Sequence, residues 1–295
     1  MGFHYGQSVD KFGGIGDVIE FIVHSISSYY IHYKELMWEL CTDDDDKWHW
    51  AHRKSIEQTT NEELARIKNG VLTLKNMKTW IDDPRRFLRC GGIEVLLHAM
   101  RLNRLDAGTQ FNALILISYM LLSVGSDRVD SHNIRKDVAK VVVGNGGAQQ
   151  VLAAMGLHIH DERVQYLGLS CIGSLRSLKE TGSLILLEET DFVITDGGIA
   201  AVVEAMNAHV GILHIVETCL DILRDWCSAG CDAVLLMWKH GAVVSVIRAM
   251  GIPYREVKYD NFQRTGCKIL GSLASCGKDP RIAEDVALKG VCVRW

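Results

Sequence analysis

The chain has 295 residues, 48% of them hydrophobic and 23% charged, with only 3 prolines and a formal net charge of −4. That balance excludes a long disordered chain, and the scarcity of proline leans toward helix, because a proline in a helix interior costs ~3 kcal/mol. Nucleic acid is a poor default partner, since phosphate binding needs a concentrated basic surface. The 9 cysteines are odd in number and scattered, which argues against a disulfide framework and for a reducing compartment, the cytoplasm first or an organelle if the chain is processed.

The N-terminal stretch carries Asp10, Asp17 and Glu20 and no arginine, unlike a signal or transit peptide. Met1-Gly2 opens like a myristoylation site, but the sixth residue is Gly6 and not Ser or Thr. Gly13-Gly14-Ile15-Gly16 has no strand before it and reads as a turn. Ile15, Val18, Ile19, Ile22, Ile26, Tyr30, Tyr33, Met37 and Leu40 share one helical face, so residues 15–41 are predicted to form a long amphipathic helix. Two readings of it stand: a cap over the first repeat, or an arm that grips a partner. Asp17, Glu20, His24 and Glu35 on its polar face argue against a membrane surface.

Residues 41–54 follow as a loop with four adjacent aspartates, Asp43–Asp46. Clustered like charges are ordinarily solvated; the sharper alternative is a divalent-cation site. Asp43–Lys47 also matches the recognition sequence of enterokinase-cleavable tags, and a natural internal loop is the plainer reading. A second helix is predicted over 61–82, ending at Asp82-Asp83-Pro84, as the last helix of an incomplete first unit. The organisation is thus a helical cap or arm over 1–60 and repeats over 61–295. The longest apolar run, from about Ala113 to Val124, falls short of the ~20 residues a bilayer span needs.

Four segments align without gaps: GGIEVLLHAM at 91–100, GGAQQVLAAM at 146–155, GGIAAVVEAM at 197–206 and GAVVSVIRAM at 241–250. Their apolar residues keep one register. Ile93, Leu96, Leu97 and Met100 set it, and Ala148, Val151, Leu152 and Met155 repeat it, as do Ile199, Val202, Val203, Met206 and then Val243, Val246, Ile247, Met250. The spacing i, i+3, i+4, i+7 is the buried stripe of a short helix. A second helix follows each, clearest in VQYLGLSCIGSL (164–175) and FQRTGCKILGSL (262–273), which match at the Gln, the internal Gly and the closing Gly-Ser-Leu. TQFNALILISYM (109–120) and LHIVETCLDIL (213–223) hold the same place. Gly168 and Gly266 recur where glycine costs roughly 1 kcal/mol against Ala, which suggests close helix packing. A shorter helical piece precedes each anchor: DPRRFLRC, DVAKVVVGN, EETDFVITD and CDAVLLMWKH. The anchor glycines at 91, 146, 197 and 241 are spaced 55, 51 and 44 apart, and Gly125–Lys136 and Lys179–Asp191 are the obvious insertions.

The order Gly-Gly-Ile, Ala-Met, Val-Gln, then Gly-Cys before a Leu-rich close resembles the armadillo-repeat family, in its divergent subclass with GGI…AM units, over about residues 80–295. The resemblance implies an all-α fold, a right-handed α-α superhelix whose longer third helices line a concave groove. On that alignment Ile115, Ser170, Thr218 and Lys268 stand where import-signal receptors carry tryptophan, and Tyr119, Ser174, Ile222 and Ser272 stand where they carry asparagine. The Trp/Asn ladder is missing, and Lys268 would repel a basic peptide, so the groove implied by these eight residues is not an import-signal site. A partial fifth unit, 279–295, ends inside its second helix, so either a partner covers it or the sequence continues.

No phosphate-cradling loop, Gly-x-Ser-x-Gly or His-Glu-x-x-His motif occurs. His158, His160, Asp161 and Glu162 are the densest ligand-like group, but a structural zinc site draws Cys or His from two places, and these lie in one loop. Cys219, Cys227 and Cys231 read as buried free thiols. The expectation is therefore a non-enzymatic protein-interaction scaffold with no cofactor or metal, a subunit of a larger assembly docking through the N-terminal helix and the last repeat. The runner-up is a transient peptide-binding adaptor using the third-helix groove. A metal-dependent regulator comes third.

Overall fold

The computed structural model describes residues 14–41, 47–77, 83–122, 131–179, 197–253, 259–276 and 279–290. Asp43–Asp46, the segment EETDFVITD, the first half of the Gly125–Lys136 insertion, all of the Lys179–Asp191 insertion but Lys179, and the last five residues lie outside them. Among the described residues all regular structure is helical, with no strand. The chain divides into two compact units, Met1–Asn145 and Gly146–Trp295.

The first unit holds α1 (Ile15–Cys41), α2 (Lys47–Asn76), α3 (Pro84–Arg89), α4 (Gly92–Leu102), α5 (Ala107–Leu122) and α6 (Ser131–Gly144). The long helix expected over 15–41 is α1. Of its apolar stripe, Ile15, Val18, Ile19, Ile22 and Ile26 are core, whereas Tyr30 and Tyr33 are 47% and 42% exposed; the side chains of Met37 and Leu40 lie outside those described. The second helix begins at Lys47, so the later part of the expected 41–54 loop is helix, and the 60/61 border falls inside α2. No glycine or proline interrupts Lys47–Lys68, and the buried stripe Ile56, Thr60, Glu63, Ile67, Val71, Leu74 has helical period but passes through two polar residues. Ser28 Oγ donates to Glu63 Oε1 at 3.2 Å and Arg66 Nη1 donates to it at 2.6 Å, pairing a carboxylate that burial would otherwise penalise. Gly70 lets α2 approach α1, since a Cβ there would collide with Ile22.

The second unit holds α7 (Gly147–Leu157), α8 (Glu162–Lys179), α9 (Gly198–Ala208), α10 (Leu213–Cys227), α11 (Cys231–Lys239), α12 (Ala242–Met250), α13 (Tyr259–Ser275) and α14 (Pro280–Gly290). Its helices form two rows. α7 packs on α9 and α9 on α12; α8 packs on α10 and α10 on α13; and each short helix also packs on the longer one that follows it. Every aligned stripe residue is buried except Leu152 and Ile247, which are half-buried.

The joint between paired helices recurs bond for bond. Asn103 N donates to Ala99 O, Asp106 N to Asn103 O and Gln110 N to Asp106 O; His158, Asp161 and Gln165 repeat the set after Ala154, and His209, Ile212 and Val216 repeat it after Ala205. The recurrent glutamine then caps the preceding helix with its side chain. Gln110 Nε2 donates to Met100 O and Asn103 O, Gln165 Nε2 to Met155 O and His158 O, and Gln263 Nε2 to Met250 O. Carbonyls at a helix end have no partner within the helix, so this amide satisfies two of them in the buried joint. The third copy has Val216 there and uses another tie: the His209 ring Nε2 lies 2.8 Å from Ile159 O in the neighbouring joint. The anchor glycines Gly91, Gly146 and Gly241 take φ of 74°, 70° and 79°, a left-handed turn that a side chain resists; Gly197, at −177°, is plain extended backbone.

Candidate interaction surface

The eight groove positions fall on four helices. On α5, in the first unit, Ile115 and Tyr119 are half-buried. The other six come from α8, α10 and α13, which lie side by side in the second unit. Ile222 is buried, with its side chain beside Gly173 of α8: a Cβ on that glycine would sit 3.6 Å from Ile222 Cγ1. Ser272 on α13 bonds to the Cys227 thiol of α10. These two serve contact between helices. Ser174 is buried and its hydroxyl donates to Ser170 O; Ser170 in turn donates to Tyr166 O and Thr218 to His214 O, each one turn back in its own helix. Such back-bonding spends the hydroxyl proton on the helix itself. Lys268 is exposed. On α8 and α10 the hydroxyls of Ser170, Ser174 and Thr218 are thus engaged with their own helices.

The His158–Glu162 group is divided among structural tasks. His158 ends α7. Asp161 caps α8, accepting from the backbone N–H of Arg163 and Val164, and its bond to the Arg163 guanidinium holds its carboxyl below the usual range. Glu162 Oε1 lies 3.2 Å from His214 Nε2, whose ring meets Tyr166 edge-on. Among the described residues no group of three or more His, Cys, Asp or Glu is placed to hold a metal ion. Cys171 and Cys219 are buried, which pushes the Cys171 thiol up to about 12 and raises that of Cys219 as well; burial takes Cys227 up to about 11. No single helix among the described residues is long and apolar enough to cross a membrane.

An exposed apolar surface stands out on α1, of which the periodicity assigns Tyr30 and Tyr33 to the buried face. Val23, Tyr30, Ile31 and Tyr33 are all more than 40% exposed, Ile31 at 59%. Tyr29 and Tyr33 stack with centroids 5.7 Å apart, and Tyr30 meets His98 of α4 edge-on with its hydroxyl 2.9 Å from Nε2. Burial, then the nearby Arg101 charge, lowers the His98 pKa. The signal in sequence is the cluster Tyr29, Tyr30, Ile31 and Tyr33: an amphipathic helix with one buried stripe has no place for four large side chains in five positions. In the second unit, a cleft of about 350 Å³ opens between α7 and α9, lined mainly by Leu152, Ala153, Ile159, Ala200 and Ala201. Where α11 meets α14, Trp238 Nε1 donates to Asp285 Oδ2 at 3.2 Å and the Arg281 guanidinium lies 5.3 Å from the indole centroid, beside Leu288, which is 67% exposed.

No family model, curated protein or solved structure matches the chain.

Proposed function

We propose that this chain is an armadillo-type solenoid, a right-handed α-α superhelix, that serves as a non-catalytic protein-interaction scaffold and a structural subunit of a larger assembly. The observation that carries this reading is the repeated joint: a left-handed glycine anchor, a Met-terminated buried stripe and a glutamine clamp recur in register, and the second unit stacks its modules in two rows. Stacked modules of this kind supply rigid extended surface, and binding strength comes from several repeats acting together. The third-helix hydroxyls, spent on their own helices, favour the subunit reading over a peptide-reading groove. Exposed apolar side chains on α1 supply docking area of the kind such a subunit buries.

The test is native isolation of the full chain from its source cell, with partner stoichiometry and particle mass measured, for wild type and for Ile31→Asp/Tyr33→Asp. The expected result is a stoichiometric protein partner that is lost in the double variant while its thermal unfolding is unchanged. A wild-type chain that isolates as a 32.9 kDa monomer with no stoichiometric partner overturns the proposal.

A further inference from the structure

Cysteines separated by 45 residues meet where α10 turns into α11. Cys231 is the first residue of α11, and Cys276 stands just past the end of α13. The contact is reciprocal: Cys231 Sγ donates to Cys276 O at 3.4 Å, and Cys276 Sγ donates to Cys231 O at 3.6 Å. Both sulfurs therefore sit in the gap between two facing main-chain segments. Each thiol thus reaches the main chain of the other residue, so the two side chains start from the close approach that a disulfide requires.

We propose that Cys231 and Cys276 form an oxidant-responsive site that closes into an intramolecular disulfide when the chain meets hydrogen peroxide. One thiol attacks peroxide, the O–O bond breaks, and the products are a sulfenic acid and water. The second thiol displaces hydroxide from that sulfur, the hydroxide takes the released proton, and a disulfide and a second water result. In all, two thiols and one peroxide become one disulfide and two waters, and thiol exchange with a reductant reverses the change.

The surroundings single out this pair. Both residues are half-buried and so open to a small oxidant, while Cys171 and Cys219 are fully enclosed. Cys227 is nearby, but it faces α13 through Ser272 and burial raises its thiol to about 11, making it a poor nucleophile at neutral pH. The bond would staple the start of α11 to the end of α13 and close a loop through α12, constraining the unfolded ensemble of the second unit.

The experiment takes the full reduced chain, treats it with stoichiometric hydrogen peroxide and maps the cysteines by peptide mass spectrometry without reduction. The expected result is loss of two of the nine thiols and a mass decrease of about 2 Da. A cross-linked peptide should join Cys231 to Cys276, absent in Cys231→Ser and Cys276→Ser, and thermal unfolding should shift upward by several degrees in wild type, reversed by dithiothreitol. Peroxide treatment that leaves both residues as thiols, oxidises them separately to sulfinic acids, or joins either one to Cys227 or Cys267 overturns the proposal. The wild-type map alone decides this if a serine variant fails to fold.

Discussion

Gly168 lies against Met155 so closely that a Cβ on it would fall 2.5 Å from the methionine Cγ and 2.6 Å from Sδ. Gly266 stands in the same relation to Met250 in the last complete module, where Cγ and Sδ would both be overrun. Met155 and Met250, at the ends of their short helices, are thus knobs seated in holes left by Gly168 and Gly266 of the longer helices behind them. Gly168→Ala should destabilise the second unit by up to about 2 kcal/mol: overpacking costs about 1–3 kcal/mol, and improved helix propensity offsets roughly 1 kcal/mol. Urea denaturation of Gly168→Ala, Met155→Ala and the double variant checks the cause. The double variant should be more stable than the sum of the singles implies, because the truncated methionine leaves room for the new methyl.

Gly271 is in the same helix as Gly266, and a Cβ there meets nothing within 4 Å. Gly271→Ala should therefore stabilise the chain by about 0.5–1 kcal/mol, the intrinsic helix preference with no packing penalty. Two glycines five positions apart in one helix should give opposite signs in thermal denaturation, which a propensity argument alone does not produce.

Gln165 is fully buried and its amide closes two carbonyls at the end of α7. Gln165→Leu preserves bulk but leaves both carbonyls without that donor, and the expected cost is about 1–3 kcal/mol, read as a lower urea midpoint. Hydrogen exchange should accelerate first around the turn at 156–161 rather than across the whole unit.

His98 gives a pH dependence with a definite sign. Burial, with Arg101 adding to it, holds its folded pKa below 6.5, so the unfolded chain binds more protons between those two values. This contribution to stability is fully present above pH 6.5 and is lost as pH falls through the lower folded value. In a histidine-resolved NMR titration the His98 ring should titrate below 6.5, and Arg101→Gln should move it upward by removing the smaller of the two causes.

How far the sequence reached is clearest at the methionines. The i, i+3, i+4, i+7 stripes before Met100, Met155, Met206 and Met250 are short-range patterns, set by the angle between successive side chains on one helix, and they predict the buried residues with only Leu152 and Ile247 left half-covered. Gly168 and Gly266 also announced close packing, because their cost in a helix needs a reason. The glutamine was visible as an identity between repeats, but its task was not, since the carbonyls it closes belong to the previous helix and its turn.

Periodicity says which face of a helix is oily; it does not say how far along that face a neighbour extends. Tyr30 and Tyr33 continue the stripe of Ile15–Ile26 by spacing, yet they stand half in solvent, because what covers a side chain is set by the elements packed against it. The same holds in reverse for Glu63, a charged residue buried where Ser28 of α1 and Arg66 meet its carboxylate. It holds again for Cys231 and Cys276, whose meeting no local pattern encodes. The helices and their inner faces were written in the local order of residues. Which side chains end exposed, capped or paired was decided by tertiary packing, because those outcomes depend on atoms distant in the chain.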